Sequence, residues 1–284
     1  MIKAVVQFQL SKIKTNLLTF LLIVATSIIV IYIGYRHDTI MQSLAYIAVM
    51  WLCSFFIDLY AIKKPTTHNF IVRQPKRETI YFFISFILGL LFFYFRLSPS
   101  VDWKHLNGLV RLAIIPLIFF VFPIALAIIL FVLKYKPKDL GFRIRGFILI
   151  IPIVLISAIT NRIVSPESLT WSAVLVESGG LFGALYSGFI VAGLSEEFFR
   201  VVGQTRIGAY LNNLGIGWFI TTVLWAFMHF PKWYSEDQNL TEALLSSMRI
   251  VPIGLMWGYL THRTKSILPS VIVHGINFWG LQNF

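Results

Sequence analysis

Apolar runs of about 17 to 25 residues alternate along this chain with short polar segments, and each run can carry a helix across a hydrocarbon core of about 30 Å. Nine spans are predicted, at 16–35, 41–62, 79–95, 109–133, 146–162, 181–203, 213–230, 243–261 and 266–282. The fold expected is therefore all-α, a polytopic transmembrane helix bundle of eight or nine spans. Ahead of the first span, Met1 to Thr15 interrupts its apolar positions with Lys3, Gln7, Gln9, Lys12 and Lys14, the pattern of a short interfacial helix. The first apolar run is too long for the core of a cleaved signal peptide, so this helix is expected to stay.

Composition agrees with the pattern. The chain is 57% hydrophobic and 13% charged, against about 25% charged residues in a soluble domain. A net charge of +12 raises nucleic acid as a partner, but the distribution of the cations gives another reason for it. With the N-terminus inside, sixteen Lys and Arg fall in inner segments and five (Arg36, Arg96, Lys104, Arg162 and Lys232) in outer ones, while Arg111, Arg200 and Arg249 lie within spans. That bias sets a cytoplasmic N-terminus and makes membrane lipids, not nucleic acid, the partner of the basic loops. A multi-pass protein of a cell membrane is expected, and the Phe-, Ile- and Lys-rich composition suits a bacterial plasma membrane. The single cysteine, Cys53, excludes an intramolecular disulfide and is expected to pack among aromatics.

Two basic loops punctuate the chain, Ile62 to Glu78 and Lys134 to Arg145. The second is the expected boundary between N-terminal helices of unassigned role (1–145) and a catalytic transmembrane unit (146–284). In the first half, Asp58 precedes the Lys63-Lys64 pair and is expected to find its counter-charge at that interface. Pro116, Pro123 and Pro152 are expected to kink their helices. No internal repeat is visible, which speaks against an inverted-repeat transporter.

The chemistry concentrates in the second unit. Glu196, Glu197 and Arg200 sit in the sixth apolar run, where an ionisable residue costs about 2.5–3.5 kcal/mol on insertion scales and marks a protein interior or a wet cavity. Glu196 and Arg200, four apart, share a helix face, with Glu197 about 100° round. One glutamate can be held by the arginine while the other acts as a base. Two histidines follow within spans, His229 in Trp225-Ala-Phe-Met-His229-Phe-Pro231 and His274 in Val-Ile-Val-His274-Gly-Ile-Asn277; His37, His68, His105 and His262 are expected in loops. The Lys/Arg orientation puts His229 near the outer end of its span and Glu196 toward the inner end of its own. Gly254-Leu-Met-Trp-Gly258 is a small-xxx-small pattern expected to serve packing. A carboxylate base, two imidazoles and an amide make an inventory for activating water at an amide bond. His-Glu-x-x-His is absent, so zinc would have to be gathered from Glu196 or Glu197, His229 and His274 across three helices; metal-independent catalysis is equally open.

These residues resemble the CAAX protease and bacteriocin-processing (Abi) family of membrane proteins. Its members carry adjacent glutamates with an arginine one turn on, an aromatic four residues before a histidine on the next helix, a small-residue helix, and a final histidine followed by Asn or Asp. The counterparts here are Glu196-Glu197-Phe-Phe-Arg200, Trp225 with His229, the Gly254/Gly258 helix, and His274 with Asn277, across about Tyr186 to Trp279. Asn277 stands three residues after His274, where the family places it four after. The resemblance implies an intramembrane endopeptidase acting on a membrane-associated peptide or protein, in C-terminal or bacteriocin-related processing. Glu196 would activate water with His229, Glu197 and Arg200 would support them, and His274 with Asn277 would meet the oxyanion. Two other classes suit a buried polar cluster: a non-catalytic immunity or scaffold protein, and a proton-coupled transporter.

Overall fold

The computed structural model describes residues 2–97, 126–128, 130–165, 175–176 and 178–277. Most of the fourth expected span, with Arg111, Pro116 and Pro123, lies outside them, as do His105 and much of the outer loop before Gly179. The described residues are all-α. Helices α1 (Ile2–Thr15), α2 (Leu17–Arg36), α3 (Ile40–Lys63) and α4 (Pro75–Leu97) lead to the basic loop, after which come α5 (Ile150–Val164) and α6 (Leu181–Leu185). A π-helix, Tyr186–Glu196, continues α6 directly into α7 (Glu197–Tyr210). The described residues continue with α8 (Leu214–Phe227), α9 (Phe230–Asp237), α10 (Leu240–Arg249), α11 (Val251–Thr264) and α12 (Leu268–Asn277).

Among the described residues, five helical stretches are long and apolar enough to cross a membrane: Leu17–Arg36, Ile40–Lys63, Phe147–Val164, Leu214–Ser235 and Leu240–Thr264. The protein is a polytopic helical membrane protein. The third and sixth expected spans are helical too; α4 starts ahead of the third with Lys76, Arg77 and Glu78, and the sixth carries Glu196, Glu197 and Arg200. Large apolar side chains such as Phe131, Phe182 and Ile163 stand mostly exposed, as a lipid-facing surface requires. Where lipid replaces water there is little hydrophobic drive between helices, and close packing through small residues takes over. The α7–α8 hairpin is built that way: a Cβ on Gly217 would overlap the backbone of Gly208, and one on Gly203 would meet Phe82 and Thr221. Cys53 is fully buried among Ile57, Ile153, Trp257 and Leu260, the packing role expected of it.

Several local expectations need correction. Asp58 is buried, and its counter-charge comes not from Lys63-Lys64 but from Arg263 on α11, 2.8 Å away, with Tyr259 Oη at 2.6 Å and Gln9 Nε2 at 3.0 Å also donating to it. Pro152 kinks nothing, because it falls in the first turn of α5, where no backbone donor is missed. Pro231 opens the short helix α9 instead of merely stopping α8. His262 lies in the last turn of α11, not in a loop. Arg206, assigned to an inner loop, is fully buried and pairs with Glu78 at 2.9 Å. The other Glu78 oxygen accepts from Tyr135 Oη at 2.7 Å and from the Gln74 N–H at 2.8 Å, so one carboxylate ties the start of α4 to α7 and to the basic loop.

The turn between α11 and α12 carries a local cost. Lys265 caps α11 in the left-handed region at φ 57°, where an L-residue other than Gly is strained by roughly 1–2 kcal/mol. Its ammonium is also pulled down to about 8, first by burial and then by Arg263 and Arg143. Lys265→Gly removes both penalties, so thermal unfolding in detergent micelles at pH 7 should show a stabilised protein. At pH 9.5 the gain should shrink, because the folded wild type is then already largely deprotonated while its unfolded chain still holds the proton.

Candidate active site

Two helical hairpins assemble the cluster. In the first, α7 and α8 join through the tight turn at Leu211–Asn213, whose Asn213 side chain caps α8 by accepting from the Ile216 N–H at 3.0 Å. Positions equidistant from this turn meet, so Gly208 faces Gly217, Arg200 faces Trp225, and Glu196 faces His229. The two depths expected for Glu196 and His229 are thereby reconciled. The sixth helix does not end near residue 203 but runs to Tyr210, and its 14 residues from Glu197 rise about 21 Å at 1.5 Å each. In the second hairpin, α11 and α12 turn at Lys265, with Thr261 Oγ1 and Ser270 Oγ 2.8 Å apart one turn up and the Trp257 and His274 rings stacked at 3.9 Å one turn further.

The hairpins interlock through the π-helix, whose i→i+5 bonding widens the turn ahead of the glutamates; such segments are frequent at functional sites. Its small residues let α12 come against it. A Cβ on Gly275 would lie 2.9 Å from the Gly188 carbonyl oxygen, and one on Gly193 would overlap the Val271 carbonyl. Gly193→Ala must therefore push α12 away, at about 1–3 kcal/mol for overpacking. Thermal unfolding should fall accordingly, and activity should fall further than stability, since His274 moves with α12.

Five of the six expected site residues come together. Glu197 is buried, with 1% of its side chain exposed, and its Oε1 accepts from Arg200 Nη1 at 2.5 Å and from His274 Nδ1 at 2.8 Å. Arg200 thus pairs with Glu197, not with Glu196, whose face it was expected to share. Glu196 turns the other way, 17% exposed, and its Oε2 accepts from the Trp225 indole N–H at 2.5 Å. The same oxygen lies 3.6 Å from His274 Nε2 and 3.9 Å from His229 Nε2. Asn277 is not drawn into this network; its Oδ1 is buried with no hydrogen-bond partner among the described residues.

The tautomers follow from the partners. His229 Nδ1 lies 3.1 Å from the Trp225 carbonyl oxygen and His274 Nδ1 faces a carboxylate, and both oxygens can only accept. Each Nδ1 therefore carries a proton, which leaves each Nε2 aimed at Glu196. The separations of 3.6 and 3.9 Å are too long for direct hydrogen bonds and short enough for a shared water. Glu196 and His229 are the more accessible members, at 17% and 29%.

Two tryptophans hold the arrangement. The Arg200 guanidinium lies 4.1 Å from the Trp225 ring centroid and 5.3 Å from that of Trp257, and the Trp257 ring stacks on His274 at 18°. Cation–π contact compensates part of the desolvation of a fully buried arginine. Trp257 escaped the sequence reading because it sits inside the small-xxx-small pattern. The glycines do pack closely, Gly254 against Trp225 and Gly258 against Trp218. A tryptophan as far from the Lys265 turn as His274 is on the other side was the available signal.

Among the described residues, no group of three His, Cys, Asp or Glu side chains is placed to hold a metal ion. Glu196, His229 and His274 are accordingly not grouped as a ligand set, and Glu196 Oε2, which faces both imidazoles, accepts from the Trp225 indole N–H.

Comparison with curated proteins gives no match, and neither does comparison with solved structures. A family model does match, over the segment that holds the whole cluster. Residues 178–279, about a third of the chain, match the family model described as "Type II CAAX prenyl endopeptidase Rce1-like".

Proposed function

We propose that the protein is an intramembrane endopeptidase that hydrolyses a peptide bond in a membrane-associated peptide or protein. The observation that carries this reading is the convergence of two imidazole Nε2 atoms on Glu196 Oε2, with each Nδ1 already committed elsewhere. A water in that gap donates one proton to Glu196 and keeps its position through His229 Nε2. As its oxygen bonds to the scissile carbonyl carbon, the proton passes to the carboxylate. Collapse of the tetrahedral intermediate breaks the C–N bond, and Glu196 returns the proton to the leaving amine. His274, its ring held by the contact of Nδ1 with Glu197, is assigned to meet the charge that develops on the carbonyl oxygen. Glu197 and Arg200 position His274 and touch no reacting atom. Asn277 is given no more than a neighbouring role, since no hydrogen bond links it to the other five.

No step of this sequence passes through a metal ion. The substrate class follows from placement: the cluster lies among membrane-crossing helices, so the scissile bond must belong to a chain held at the membrane. The matched family's name adds prenylated proteins as the first substrates to try. The test is the purified protein in proteoliposomes given a farnesylated peptide and the same peptide with a palmitoyl anchor, with cleavage read by mass spectrometry before and after exhaustive chelation. A new C-terminus that forms at an unchanged rate after chelation is expected. Loss of cleavage on chelation and its return with zinc would overturn the metal-free mechanism, and no cleavage of any anchored peptide would sink the peptidase reading.

A further inference from the structure

A half-open cavity lies on the face of α11 opposite Trp257, lined by α1, α2, α3, the start of α8, and α11, with a volume of about 640 Å³. That is within the roughly 300–1,000 Å³ of small-molecule sites. Two of its walls share one gradient. Along α3 the lining runs Met50, Trp51, Ser54, Asp58, and along α11 it runs Leu255, Met256, Tyr259, Arg263. Each of these series keeps to one helix face and turns from apolar to polar toward the end of the bundle that carries the basic loops; α1 and α2, which meet at Asn16, add Lys12, Asn16, Thr19 and Ile23 and, further along, Thr26 and Ser27. The cavity is shaped for an amphiphile with its head at that end.

The head region favours an anion. Asp58 is neutralised by Arg263, with Tyr259 and Gln9 donating to it as well, so the remaining charged group at the mouth is Lys12. Lys12 forms no ion pair among the described residues and lies over the ring of its own neighbour Phe8. Leu214 and Gly215, in the first turn of the 14-residue helix α8, also line the cavity. Their N–H groups have no carbonyl within the helix to reach, and the positive end of the helix dipole adds to the attraction. Thr19 points the same way independently. It is 4% exposed, its hydroxyl has no hydrogen-bond partner among the described residues, and that hydroxyl lies 2.6 Å from where a Cβ on Gly215 would stand.

We propose that this cavity is a binding site for an anionic phospholipid, with its phosphate at Thr19, the start of α8 and Lys12, and one acyl chain among Ile23, Met50, Trp51, Leu255 and Met256. The site is separate from the catalytic cluster, and the proposal does not rest on the peptidase reading, because binding is measured without turnover. Native mass spectrometry of the full chain in detergent micelles, with a thermal-shift series in parallel, should compare phosphatidylglycerol, phosphatidylcholine of the same chains, and inorganic phosphate. The glycerol lipid should bind about five- to tenfold more tightly than the choline lipid, the scale expected of a cation or two beside an anionic head. Inorganic phosphate alone should leave the unfolding temperature unchanged. Lys12→Glu, on an exposed position of α1, should reduce the preference to nothing, and Thr19→Val, which keeps shape and removes the hydroxyl, should weaken it several-fold. Equal binding of the two lipids, an equal shift with phosphate alone, or a preference that survives both substitutions would overturn the proposal.

Discussion

Glu196→Gln is expected to lower peptide-bond hydrolysis on the order of 10³-fold, within the range for loss of a general base, while the protein folds and inserts normally. Glutamine keeps the volume and still offers an oxygen to the Trp225 indole N–H that now donates to Glu196 Oε2. It cannot take a proton from water. Unfolding temperature and yield should therefore match the wild type, and the membrane-peptide pool of cells carrying the variant should accumulate uncleaved substrate. Glu197→Gln separates the two carboxylates. It removes the negative charge that Arg200 and His274 share, so both stability and activity should fall. A variant at Glu196 that kept wild-type turnover, with Glu197→Gln inactive yet fully stable, would exchange the roles.

The chain's periodicity was enough to fix the all-α class and the membrane setting, because a helix in lipid has to satisfy its own backbone and cover itself with apolar side chains. The cluster was legible for the same reason: Glu196, Glu197, Arg200, His229 and His274 are the residues a lipid-exposed position would exclude. What the sequence hid is how they pair. Face arithmetic at 100° per residue joins Glu196 to Arg200, yet the π-helix that ends at Glu196 and the indole of Trp225 leave the arginine to Glu197. Hydropathy also places a span's end where charge begins, which cut the sixth helix short of Arg206. That arginine stays in the bundle because Glu78, 128 positions away, lies 2.9 Å from it, a partner no local window reveals.

The largest effect on stability is expected from Arg200→Met. Both members of the Arg200–Glu197 pair are almost fully buried, and removing one leaves the other's charge uncompensated, at about 3–5 kcal/mol. Methionine fills much of the space between Trp225 and Trp257, so little of the loss arises from a cavity. Arg200→Lys should recover only part of it, since an ammonium cannot lie flat against both rings while reaching Glu197. The double variant Glu197→Gln/Arg200→Met decides between charge and packing. If the uncompensated carboxylate is the cause, adding Glu197→Gln to the methionine variant should restore most of the unfolding temperature, and the double-mutant cycle should show strong coupling. Activity should not return with it, because His274 would still lack the anionic partner that holds Nδ1 and directs Nε2 at Glu196. A double variant as unstable as Arg200→Met alone would place the cost in packing against the tryptophans.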